Sequence, residues 1–136
     1  MNNMNQDLYK QDLIDHSKNP RNYGILDGAD FFSDEHNPSC GDSVKICGII
    51  ENGKIVEMRF EGSGCVLSMA MASKLTEFVV GMDLHEVAKL DEELVEKLLG
   101  TRLGLNRLRC GLLSVMALTK GASQYLEKNR SSASAL

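Results

Sequence analysis

The chain has 136 residues, of which 43% are hydrophobic and 25% charged. That fits a single domain, residues 1–136, long enough to bury a core without disulfide staples. A formal net charge of −4 argues against a nucleic-acid binder, which needs a basic face. The first ten residues are polar, and no stretch approaches the ~20 apolar residues of a membrane span. No membrane contact and a cytoplasmic location are therefore expected. In a reducing compartment, cysteines read as ligands or nucleophiles before they read as disulfides.

A first helix is expected over 7–17, with Leu8, Leu13 and Ile14 forming an apolar stripe. Pro20 and Gly24 end it, and His16 at its end reads as a C-terminal cap. Residues 29–33 read as a short edge strand. Asn37-Pro38 opens a loop, and 43–51 then alternates: Val44, Ile46, Gly48 and Ile50 face one way, Lys45, Cys47 and Ile49 the other. Asn52-Gly53 signals a type I′ hairpin turn. Residues 55–61 return as a strand with Val56, Met58 and Phe60 inward. One sheet face is buried and the other wetter, the pattern of an antiparallel sheet.

Gly62-Ser63-Gly64 breaks that strand just before Cys65, and 66–80 reads as helix, stopped by Gly81. Asp83 caps a short helix through Ala88, and another runs over 91–99 to Gly100. The last long helix is expected over 107–126. The Ser/Ala-rich segment 127–136 reads as a frayed tail.

Chemistry concentrates in Ser39-Cys40-Gly41-Asp42. In an extended segment, residues two apart project to one side, so the Cys40 thiol and the Asp42 carboxylate can converge. Cys65 and Cys110 each stand where a helix is expected to begin, and there unpaired amides and the dipole favour a thiolate. Arg107 and Arg109 add positive charge near Cys110. Three thiolates and a carboxylate can hold zinc or an iron–sulfur cluster. Free cysteine is also among the most often buried residues, and no C-x-x-C pair is present. Cys47, mid-strand, is assigned to that ordinary role. His36 precedes Cys40 and is a weaker ligand candidate, and His85 reads as a solvated helix residue.

Taken in order, Asp15-His16-Ser17-Lys18-Asn19-Pro20-Arg21-Asn22, Asn37-Pro38-Ser39-Cys40-Gly41-Asp42, Phe60-Glu61-Gly62-Ser63-Gly64-Cys65 and Arg109-Cys110 resemble the IscU/SufU/NifU N-terminal domain family. These proteins are iron–sulfur cluster assembly scaffolds. The resemblance implies an α+β fold, a three-stranded antiparallel sheet packed against several helices (SufE/IscU-like), with the site at one exposed end. It implies that Cys40, Asp42, Cys65 and Cys110 bind zinc or a nascent 2Fe–2S cluster. Cys40, Cys65 and Cys110 are then the candidate persulfide acceptors. It further implies a cysteine desulfurase as sulfur donor, docking near the first helix and residues 18–22, and apo acceptor or carrier proteins as recipients. A second copy of the chain stays among the partners.

Two departures stand out. IscU-type members carry Leu-Pro-Pro-Val-Lys and a histidine before the last cysteine. Here Leu103-Gly104-Leu105-Asn106-Arg107 and Arg109 occupy those places, so chaperone recognition through that segment is not carried over. SufU-type members have a basic residue there, as here, with an insertion ahead of it that this chain is too short to hold. The resemblance therefore leads to a scaffold that accepts sulfur and iron, builds a transient cluster and transfers it, with Asp42 keeping the cluster labile. A zinc-dependent sulfur acceptor of the SufU kind is the alternative. A structural zinc protein ranks behind both, because the ligand set is neither paired nor closed, and an electron carrier ranks lower again, because a carboxylate-ligated, exposed cluster would be unstable.

Overall fold

Backbone hydrogen bonding along residues 31–63 gives the frame of the molecule. In the computed structural model, which describes residues 2–39 and 41–134, the order is α1 (Asn2–Lys18), β1 (Phe31–Asn37), β2 (Asp42–Glu51), β3 (Lys54–Ser63), α2 (Val66–Phe78), α3 (Leu84–Val87), α4 (Glu93–Leu99) and α5 (Leu105–Ser134). Cys40, one of the expected ligands, lies outside the described residues.

The three strands form one antiparallel sheet in the order β1-β2-β3, the architecture expected of this chain. The β2–β3 turn has φ of 54° at Asn52 and 76° at Gly53, as a type I′ turn requires. Ile46 pairs with Phe60, and both are fully buried. The inward row continues with Phe31, Val44, Ile55 and Met58 and meets Met71, Leu75, Val115 and Leu118 of α2 and α5. α1 packs on α2, and α5 covers β1 and β2. No helix among the described residues is long and apolar enough to cross a membrane.

Several expectations are corrected. β1 is 31–37 rather than 29–33, because pairing with β2 carries its polar end, Asp34 to Asn37, into the ladder. A register shift between Ile49 and Ile50 turns Ile55 inward and leaves Val56 exposed. β3 runs through Gly62-Ser63 instead of breaking there. The outer sheet face is not uniformly wet: Cys47 is fully buried on it, and its sulfur accepts the Leu26 N–H at 3.3 Å. α5 begins two residues earlier than expected, and the backbone of the 127–136 segment is helical through Ser134.

Candidate metal centre

The site forms where the β1–β2 turn, the start of α2 and the start of α5 meet. β1 and β2 pair up to Asn37 and Asp42, so the chain reverses between those two residues. Gly41, at φ of 74°, supplies the left-handed step that closes the reversal, and its N–H donates to the Asn37 carbonyl at 2.9 Å. A turn, rather than the extended geometry expected around Gly41, is what delivers Asp42 to the start of β2. Its side chain is only 4% exposed.

β3 leads through Gly64 into Cys65, the N-cap of α2, whose sulfur makes no capping bond to its own helix. Cys65 is exposed and sits at the positive end of the helix dipole. Gly64 is needed for close approach: a Cβ there would lie 2.9 Å from Asp42 Cγ and 3.0 Å from its Oδ1. Cys110, half-buried, comes from α5. Because that helix starts at Leu105, Cys110 lies in its second turn. The helix-terminus argument therefore applies to Cys65 and not to Cys110.

One ligand atom each from Asp42, Cys65 and Cys110 lies within 4.8 Å of the others. Two thiolates on a tetrahedral zinc stand about 3.8 Å apart, so the donors fit an ion after a small contraction. Their chemistry, two sulfurs and a carboxylate oxygen, suits zinc or iron. No other such group occurs among the described residues.

Ser68 ties this centre together, and the sequence reading missed it. Its Oγ donates to Asp42 Oδ2 at 2.5 Å, a short charge-assisted bond. The same Oγ is 3.3 Å from the Cys110 carbonyl and 3.4 Å from the Cys65 sulfur. A hydroxyl has one proton, and the shortest of these distances assigns it to Asp42. The available signal was its spacing: three residues after Cys65, it returns to the same helix face.

The histidines stay away from the cysteine–aspartate group. His36 is exposed on β1, paired with Ser43, beside a groove of about 340 Å³ that also holds Arg109, Leu112 and Met116. His85 is exposed in α3. His16 is no cap: it is buried, with Nδ1 2.7 Å from Ser73 Oγ on α2. Burial, reinforced by the Arg21 and Lys74 charges, holds its pKa below the ordinary histidine value. Arg21 forms an ion pair with Asp15 at 2.5 Å, and its backbone N–H donates to Ser73. The Asn19-Pro20-Arg21-Asn22 stretch thus locks onto α2.

Known proteins match most of the chain. The family model described as NifU-like N terminal domain matches residues 8–132. The zinc-dependent sulfurtransferase SufU of Bacillus subtilis is 33% identical, over 86% of this chain and 90% of that protein. The iron-sulfur cluster assembly scaffold protein IscU 1 of Archaeoglobus fulgidus is 31% identical, over 90% of this chain and 79% of that protein. A crystal structure of a nitrogen-fixing NifU-like protein (N-terminal) from Brucella abortus shares the fold, with a TM-score of 0.72 at 20% identity, over 92% of this chain and 99% of that one.

Proposed function

The chain belongs to the NifU-like N-terminal domain family, and from that premise we propose that it is an iron–sulfur cluster assembly scaffold. It accepts sulfur from a cysteine desulfurase and iron, builds a transient 2Fe–2S cluster on Cys40, Cys65, Cys110 and Asp42, and passes the cluster to apo acceptor or carrier proteins. The observation that carries this reading is the convergence of Asp42, Cys65 and Cys110 at an open rim. Structural zinc sites are instead closed and Cys-rich.

Sulfur enters when a thiolate of this chain attacks the terminal sulfur of the desulfurase persulfide. A new S–S bond forms, the old one breaks, and the desulfurase cysteine leaves as thiolate. Exposed Cys65 is the best-placed nucleophile. Iron(II) oxidation supplies half of the electrons that reduce this sulfur to sulfide, and a thiol reductant supplies the rest. Asp42, a hard oxygen ligand among soft sulfurs, is the ligand that yields when cargo leaves. We place the desulfurase near the end of α1 and residues 18–22. Anaerobic incubation with desulfurase, cysteine, iron(II) and a thiol reductant is expected to give a visible chromophore on the wild-type chain. Its absence contradicts the scaffold reading.

A second reading, a zinc-dependent sulfur acceptor, is favoured by Arg109, exposed directly before Cys110. Zinc then holds the site until the desulfurase binds and one thiolate is released to take sulfur. Zinc-loaded protein stimulates desulfurase turnover without iron on this reading, and stimulation that survives chelation contradicts it.

A further inference from the structure

We propose that Ser68 is the positioning residue of the metal centre: its hydroxyl holds the Asp42 carboxylate against the two cysteines and so sets how firmly an ion is kept. This rests on the metal-site reading above. A carboxylate turns easily about its last torsion, which has broad minima. Asp42 therefore needs outside contacts to stay aimed. Gly64 leaves the room for it, since a Cβ there would lie 2.9 Å from Asp42 Cγ. Ser68 provides such a contact, donating to Oδ2 at 2.5 Å.

Ser68 is well suited to this task. It is 8% exposed, so water competes little for its proton. It stands in the first turn of α2, rigidly joined to Cys65 through the helix. Of its three acceptor neighbours, Asp42 is the nearest by 0.8 Å, from 2.5 Å against 3.3 Å for the Cys110 carbonyl. One hydroxyl thus couples the oxygen ligand to the helix that carries one sulfur ligand. Partners in this outer position typically cost about 10–100-fold in metal affinity when removed.

The test measures zinc affinity by competition with a chromophoric chelator for wild type, Ser68→Ala, Ser68→Thr, Asp42→Ala and the Asp42→Ala/Ser68→Ala double variant. The unfolding midpoint of each metal-free protein is recorded alongside. Ser68→Ala is expected to weaken zinc about tenfold, Ser68→Thr to retain wild-type affinity, and Ser68→Ala to add nothing once Asp42 is gone. A role in packing alone would persist in the Asp42→Ala background. An equal loss there, or no loss in the single variant, overturns the inference while leaving the metal site standing. A wild-type chain that binds no zinc overturns the site and the inference together.

Discussion

Two buried serines on α2, five residues apart in sequence, serve different neighbours. Ser73 accepts the Arg21 N–H at 2.9 Å. Its hydroxyl also pairs with His16 Nδ1 at 2.7 Å. His16 Nε2 faces Asp12 at 3.7 Å and Glu77 at 3.9 Å. Thr76 completes the cluster, donating to the Ser73 carbonyl at 2.7 Å and accepting from Asn22 at 3.1 Å. These bonds tie α1 and residues 19–22 to α2. Ser68 instead stands among the candidate ligands, donating to the Asp42 carboxylate at 2.5 Å with the Cys65 sulfur 3.4 Å away. One serine joins two helices, and the other faces the group that could hold an ion.

This contrast can be broken or sharpened experimentally. The largest effect is expected from Cys65→Ala or Cys110→Ala. Each removes a ligand itself, so zinc affinity should fall beyond the roughly 10–100-fold typical of an outer-position change, as measured by chelator competition. Gly64→Ala comes next. Its Cβ displaces the Asp42 carboxylate, and affinity should drop about tenfold with the fold intact by circular dichroism.

Ser73→Ala should do the reverse of the site variants. It leaves the Arg21 N–H and His16 Nδ1 without their partner, which costs about 1–3 kcal/mol in denaturant unfolding, with zinc affinity unchanged. The smallest effect is in pH. Because His16 has a folded pKa below its unfolded value of 6.5, the unfolded chain takes up the proton first as pH falls. Stability should therefore decline below about pH 6.5 and level off below the folded pKa. His16→Gln should flatten that slope in metal-free protein.

Much of the frame was legible because it is local. Asn52-Gly53 dictates its own turn, Asp83 caps α3 by accepting the His85 N–H at 2.8 Å, and Gly100 ends α4 at φ of 72°. Residue type and order also singled out Asp42, Cys65 and Cys110 as candidate ligands, and the fold brings them together. What was not legible depends on partners distant in sequence. His16 looked like a cap because Ser73, 57 residues away, could not be seen. Val56 was turned inward because a strict period of two ignores the shift at Ile49/Ile50. The polar run Asp34 to Asn37 becomes strand only through its ladder with β2. Ser68 gains its partner only when Asp42, 26 positions earlier, is folded against it.

The central claim is that Cys65, Cys110 and Asp42, with Cys40, make one metal centre, and that fully buried Cys47 stands outside it. Zinc retained per chain after equilibration with a weak chelator tests this most directly in wild type, Cys65→Ala and Cys47→Ala. The account predicts one zinc per chain in wild type and in Cys47→Ala, and none in Cys65→Ala. Zinc retained by Cys65→Ala, or lost on substitution of Cys47 alone, would contradict it.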